Sequence, residues 1–260
     1  MSTLGSSVEV QEGLRRVFTC IDNTTLEGSD TFAKVEQLCR RSIELQDASQ
    51  GIGHVAAVCV YPVFVRHARS VLSGSGIRVA SVAGAFPAGQ SPLDVKLHEV
   101  KYAVDEGADE IDMVISRGSF LEGDYNKVFD EVAAIREVTQ GHTLKVILET
   151  GELKTWENIV KASELAIDAG ADFIKTSTGK IAVSATLEAA EAMLTTIKKY
   201  YEQTGKRIGF KAAGGISTPE EVLNYYQLTE RIMGLEYINN QFFRIGASRL
   251  TERLFSFLTQ

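Results

Sequence analysis

Short runs of β-branched and apolar residues recur along the chain, and longer stretches of helical period, rich in Ala, Leu, Glu and Lys, separate most of them. The runs predict strands over Val17–Asp22, His54–Tyr61, Arg78–Ala83, Glu110–Ser116, Leu144–Thr150, Phe173–Ser177, Arg207–Ala212 and Phe242–Gly246. Helical patterns fall near 30–46, 62–73, 92–107, 124–140, 155–169, 186–204, 219–233 and 248–258. Eight strand–helix units of roughly 32 residues each predict an α/β fold of the (β/α)8 or TIM-barrel kind. The stretch 5–16 predicts an extra N-terminal helix, and Tyr237–Gln241 reads as either loop or strand.

Local punctuation supports several of these boundaries. Ser91-Pro92-Leu93-Asp94 and Thr218-Pro219-Glu220-Glu221 each place a cap, a first-turn proline and an acid at the third position, the pattern of a helix start. Gly107-Ala108-Asp109 and Gly170-Ala171-Asp172 each follow a helical stretch and precede a strand, so the same helix-to-strand turn is predicted twice.

At 260 residues, length alone admits one barrel or two smaller domains. No Pro/Ser-rich linker or shift in composition divides the chain, and residues 1–260 read as one domain with its barrel core over about 17–258. Hydrophobic residues at 44% and charged residues at 23% are ordinary for a globular chain and argue against long disordered segments. A net charge of −7 and a pI of about 5.3 provide no global field for nucleic acid or an acidic membrane surface. Cys20, Cys39 and Cys59 are odd in number and form no C-x-x-C pair, which fits a reducing compartment. Met1–Ser7 has no basic or apolar leader pattern, and no run of eighteen apolar residues occurs, so a soluble cytoplasmic protein is expected.

Several motifs are set aside. Gly51-Ile52-Gly53-His54-Val55-Ala56 matches a dinucleotide fingerprint by letter but precedes a strand instead of joining strand to helix. Gly179-Lys180 lacks the earlier glycine of a P-loop and is followed by Ile181. His54, His67, His98 and His142 form no metal-binding doublet, so no metal site is supported. Trp156 reads as a packing anchor, while Cys59 is either an apolar filler or part of a pocket wall.

The chemistry concentrates in charged residues on predicted strands: Asp22, Asp112, Lys145, Lys175 and Lys211, all placed at carboxyl ends where such barrels carry their reactive groups. Alternation puts Glu110, Asp112 and Val114 on one face, Phe173, Lys175 and Ser177 on another, and Lys145 with Ile147 and Glu149. It allows Lys175 and Lys211 to point inward together without choosing the inward face. A free lysine amine, with a pKa of about 10.4, is neutral in about one molecule in a thousand near neutral pH. A second ammonium about 5 Å away costs roughly 3 kcal/mol at an effective dielectric of about 20, equivalent to a drop of about two units. An amine so activated attacks a carbonyl to form a Schiff base, with the carboxylate and second ammonium moving protons. Three glycine clusters, Thr178-Gly179-Lys180, Gly214-Gly215-Ile216-Ser217 and Gly246-Ala247-Ser248, either permit tight turns or cradle a phosphate; their position after strands six to eight favours the cradle.

These residues carry a resemblance. Asp22-Asn23-Thr24-Thr25-Leu26, Ala57-Val58-Cys59-Val60-Tyr61-Pro62, Glu110-Ile111-Asp112, Leu144–Thr150, Asp172-Phe173-Ile174-Lys175-Thr176-Ser177-Thr178-Gly179 and Gly209-Phe210-Lys211-Ala212-Ala213-Gly214-Gly215 resemble, in order, the 2-deoxyribose-5-phosphate aldolase family. The resemblance runs from Asp22 to Ser248. It implies a metal-free, cofactor-free class I aldolase that reversibly cleaves 2-deoxy-D-ribose 5-phosphate to acetaldehyde and D-glyceraldehyde 3-phosphate in deoxyribonucleotide catabolism. Lys175 matches the Schiff-base lysine, Lys211 the second lysine that perturbs it, and Asp112 the aspartate that moves protons through water. Asp22 and Lys145 match the surrounding polar network, and Cys59 matches a residue lining the sugar pocket. Gly179, Lys180, Gly214, Gly215, Gly246 and Ser248 fall where the family holds phosphate. Two features depart from the best-known bacterial pattern: Arg249 stands where a second serine is common, and Phe255–Gln260 lacks a tyrosine-terminated tail. The family often forms dimers, and a homodimer is expected. Two rivals remain at this point, a related lysine aldolase with another phosphorylated substrate and a barrel that binds sugar phosphate without turnover.

Overall fold

A computed structural model describes residues 8–49, 51–139 and 141–259. Residues 5–7 of the expected N-terminal helix, Gln140 at the end of the helix expected over 124–140, and Gln260 lie outside the described residues. The strands are β1 (Ile21–Thr24), β2 (Ala57–Val60), β3 (Arg78–Ala83), β4 (Glu110–Val114), β5 (Thr143–Ile147), β6 (Phe173–Lys175), β7 (Gly209–Ala213) and β8 (Phe243–Ala247). All pair in parallel and in sequence order, and β8 closes onto β1 to complete the barrel. A helix follows each strand: α2 (Phe32–Asp47), α3 (Val65–Val71), α4 (Leu93–Asp105), α6 (Tyr125–Val138), α8 (Trp156–Asp168), α9 (Leu187–Thr204), α10 (Pro219–Met233) and α11 (Leu250–Leu258). The extra N-terminal helix is α1 (Val8–Phe18), which packs on α10 and α11; α5 (Arg117–Leu121) and α7 (Thr150–Leu153) are short turns after β4 and β5.

The differences from the expected boundaries have local causes. Val17 and Phe18 belong to α1, because Leu14, Val17 and Phe18 recur at helical spacing and bury one face of it, leaving Ile21 to begin β1. Strand β5 ends before Thr150 because Glu149 turns into the left-handed region at φ 57° and caps α7. Helix α11 opens at Leu250, two residues later than expected. Tyr237 ends a 3₁₀ turn over Leu235–Tyr237, and no strand follows until Phe243. Thr218 and Glu221 form the expected reciprocal capping box, whereas at α4 Pro92 itself occupies the cap and Ser91 donates no cap.

The repeated Gly-Ala-Asp turn has one architecture in both places. Asp109 accepts from the backbone N–H of Val79 at 2.9 Å and pairs with Arg69 at 2.6 Å. Asp172 accepts from Leu144 N–H at 2.9 Å and pairs with Arg136 at 2.7 Å. Each aspartate thus ties the amino end of its own strand to that of the preceding one and to the helix before it.

Two cores result. Apolar faces of strands and helices fill the outer layer, as in any barrel of this class. Inside the barrel, Ala57, Cys59, Ala80 and Val82 on β2 and β3, with Leu26, form a small apolar half. Charged side chains fill the other half. Among the described residues, no helix is long and apolar enough to cross a membrane.

Candidate active site

Alternation along β4 to β8 and β1 sends Asp22, Glu110, Asp112, Lys145, Lys175, Lys211 and Arg244 into the interior, and all are buried. Their contacts form one network. Asp112 accepts from Lys145 Nζ on Oδ1, and from both Lys175 Nζ and Lys211 Nζ on Oδ2, each at 2.7 Å. Lys211 also donates to Asp22. Lys145 reaches Glu110 at 2.5 Å and Asp22 at 3.5 Å. Arg244 donates to Asp22 at 2.6 Å and to Glu110 at 2.7 Å, and its guanidinium lies over the Phe173 ring, 5.6 Å from the centroid.

Among the described residues, four buried cations, Lys145, Lys175, Lys211 and Arg244, therefore face three buried carboxylates, Asp22, Glu110 and Asp112, with the partly exposed Arg78 also reaching Glu110 at 3.0 Å. An unbalanced buried charge is costly, and loss of one proton removes it. The partners are shared unequally. Lys145 touches three carboxylates, and Lys211 and Arg244 two each, whereas Lys175 has only Asp112, on an oxygen it shares with Lys211. Lys175 is the amine whose charge is least compensated. Burial lowers its pKa, Asp112 opposes that, and the Lys211 ammonium lowers it further. Lys211 is shifted the other way: burial works against its charge, but Asp112 and Asp22 outweigh it and raise the pKa. Asp112 is held well below the usual carboxylate range, since the three lysines outweigh the cost of its burial. Burial pushes the Cys59 thiol up to about 11, with the Asp112 charge adding to it.

Of the four cations, Lys175 is the one that lines the cavity at the barrel mouth. This cavity, about 1180 Å³, is also lined by Gly179, Lys180, Gly214, Gly215, Gly246 and Ser248, so the three glycine clusters meet in one place beside Lys175. Two of these glycines are required by close approach. Gly214 has φ +89°, and a Cβ there would lie 2.4 Å from Ser184 Cβ and 3.1 Å from Gly179 Cα. A Cβ on Gly246 would lie 2.9 Å from Ala213 Cβ and 3.1 Å from Lys211 Cε. Gly246→Ala is accordingly expected to displace Lys211 and lower kcat/KM by at least about tenfold with a smaller loss of Tm, since sub-ångström misplacement of reacting groups costs rate steeply. Steady-state kinetics beside thermal denaturation checks this.

The loop after β6 is fastened from below. Glu149, buried, accepts from Thr178 N–H at 3.1 Å and from its hydroxyl at 2.5 Å, and that hydroxyl oxygen accepts from Lys180 N–H at 3.1 Å. Lys180 Nζ pairs across the cavity with Glu27 at 2.9 Å.

All the residues singled out from the sequence are thus brought into the barrel interior or onto the cavity wall, with one correction of position. Only Lys175 stands at the end of its strand; Asp22, Asp112, Lys145 and Lys211 lie within theirs, because the strands run past them. Sequence reasoning missed Arg244 and the pairing role of Glu110 and Glu149. A signal was present for Arg244: it shares a strand face with Gly246, and an interior arginine demands carboxylates such as the inward-facing Glu110 and Asp22.

A closed parallel barrel with an undercompensated amine at the carboxyl end of its sixth strand is the arrangement that an amine-using aldolase requires. The family description that matches residues 16–227 is DeoC/LacD family aldolase, and the chain belongs to that family of class I aldolases. It is 44% identical over 250 residues to the deoxyribose-phosphate aldolase of Mus musculus and 43% identical over 250 residues to that of Homo sapiens, covering 91% of this chain and 78% of the relative in each case. Among solved structures, a deoxyribose phosphate aldolase from Aeropyrum pernix, described as tetrameric, superposes with a TM-score of 0.72 at 27% identity, over 96% of this chain and 98% of that one.

Proposed function

We propose that this chain reversibly cleaves 2-deoxy-D-ribose 5-phosphate to acetaldehyde and D-glyceraldehyde 3-phosphate, with Lys175 as the Schiff-base lysine. The observation that carries the reading is the excess of one cation in the barrel, borne by the lysine that reaches the cavity. Neutral Lys175 Nζ adds its lone pair to the C1 carbonyl of the open-chain sugar, and loss of water leaves a protonated imine. The C3 hydroxyl gives up its proton as the C2–C3 bond breaks, and that electron pair passes into C2 to form an enamine while the three-carbon phosphorylated aldehyde departs. Protonation at C2 and hydrolysis of the imine release acetaldehyde and restore the amine.

Asp112 and Lys211 are the proton-moving groups in this reading, supported by the single oxygen on which Lys175 and Lys211 both rest. Lys145, on the other oxygen of Asp112, and Asp22, on Lys211, hold this pair in place. The apolar half of the interior, including Cys59, suits the two-carbon fragment. Gly179, Lys180, Gly214, Gly215, Gly246 and Ser248 suit the phosphate, because backbone N–H groups at glycine turns and a helix start favour an anion. The interior carboxylates are all engaged by ammonium or guanidinium groups, which leaves none to ligate a metal and supports a reaction without one.

The test is direct assay: 2-deoxy-D-ribose 5-phosphate is expected to yield the two aldehydes in equal amounts, in chelator as in its absence. Binding of the sugar phosphate without any aldehyde released would overturn the reading in favour of a non-catalytic binder, and faster cleavage of another phosphorylated sugar would replace the substrate. We also place the enzyme in the cytoplasm, which its three free, buried cysteines support. A homodimer, as soluble enzymes of closed symmetry commonly form, is checked by light scattering.

A further inference from the structure

We infer that Arg249 is a specificity-determining residue that selects phosphorylated over unphosphorylated substrate; this rests on the sugar-phosphate reading above and assigns a residue at which the chain departs from the pattern it resembles. Six cations line the cavity, and five are engaged: Lys34 with Asp30 at 2.5 Å, Arg40 with Glu36 at 2.7 Å, Arg41 with Glu252 at 2.7 Å, Lys180 with Glu27 at 2.9 Å and Lys175 with Asp112 at 2.7 Å. Arg249, exposed on the wall beside Ser248, has no ion-pair or hydrogen-bond partner among the described residues.

Its position in the backbone is unfavourable for the fold alone. Arg249 is the N-cap of α11 and makes no side-chain cap. A cap position calls for Ser, Thr, Asp or Asn, whose oxygen accepts from the first turn, and a positive charge there opposes the helix dipole. Arginine forgoes the first and incurs the second. Both costs are reversed by an anion at that spot, which accepts from the free N–H groups of the first turn and from the guanidinium fork in two parallel hydrogen bonds. A local rule broken at the rim of a cavity is where a binding function is expected. A phosphate monoester has the charge and geometry to fill it.

The experiment compares wild type, Arg249→Ala, Arg249→Ser and Arg249→Lys on 2-deoxy-D-ribose 5-phosphate and on 2-deoxy-D-ribose, with Tm measured with and without inorganic phosphate. Arg249→Ala is expected to lower the preference for the phosphorylated sugar by about tenfold, through KM and not kcat, the scale of one charge-assisted hydrogen bond. Arg249→Lys recovers part of it. Arg249→Ser is expected to raise Tm in the absence of phosphate, by restoring the cap, while still weakening phosphate-dependent stabilisation. An unchanged preference, or equal losses on both sugars, overturns the inference. Should wild type cleave neither sugar, the aldolase reading fails separately; the phosphate-induced rise in Tm then decides, its loss in Arg249→Ala upholding the role of Arg249 and its persistence overturning it.

Discussion

Lys175→Ala is expected to abolish turnover, by at least about 10⁴-fold, well within the acceleration enzymes achieve over background. No other interior amine is in a position to substitute. Lys145, Lys211 and Arg244 are each tied to two or three carboxylates and lie away from the cavity wall, so none is free to lose its proton and meet a carbonyl. The companion measurement is borohydride reduction in the presence of acetaldehyde, which converts the imine to a stable secondary amine. Peptide mass spectrometry is expected to find the ethyl group on Lys175 in wild type and no such label in the variant. Label on Lys211 instead would reverse the roles of the two lysines.

Removal of Lys211 tests the charge balance itself. In Lys211→Leu the interior holds Lys145, Lys175 and Arg244 against Asp22, Glu110 and Asp112, so the excess cation is gone and Asp112 is left to Lys145 and Lys175. Lys175 then gains its carboxylate undivided and loses a neighbouring ammonium, and both changes favour its charged form. The pKa of Lys175 therefore rises. Because catalysis uses the neutral amine, activity at neutral pH is expected to fall on the order of a hundredfold, the effect of an ammonium about 5 Å away at an effective dielectric of about 20. The acidic limb of the kcat/KM profile moves to higher pH, and part of the activity returns there. Asp22 and Asp112 also lose a buried partner, so Tm is expected to fall. A pH profile that drops uniformly without moving would mean that Lys211 acts as a proton carrier alone and does not tune Lys175.

Much of this was legible in the chain, and particular residues show how far. Alternation on β6 and β7 set Lys175 and Lys211 on faces that oppose Ile174 and Phe210, and the register Lys175↔Lys211 between adjacent strands brings them side by side. Helix starts with an oxygen-bearing cap, such as Thr218 with Glu221, are visible because the whole motif lies within four residues. Boundaries failed where two periods overlap. Val17 and Phe18 are apolar neighbours that suit a strand by composition and a helix by their spacing from Leu14, and packing of α1 against the barrel decided for the helix.

By itself, the sequence determined the eight strand–helix units, the amine and carboxylate types on alternating positions, and the glycine turns after strands six to eight, since each is a matter of residues within a few positions of one another. Only the tertiary structure decided which face turns inward, that four buried cations meet three carboxylates, that Lys175 has the smallest share of them, and that, of the six cations on the cavity wall, Arg249 has no partner among the described residues. The reason is the closure of the barrel. Lys211 meets Asp22 across 189 residues and Arg244 meets Asp22 across 222, contacts that exist only because β8 pairs with β1. A buried charge is balanced by whatever the fold places within hydrogen-bonding reach, and no periodicity along the chain carries that information.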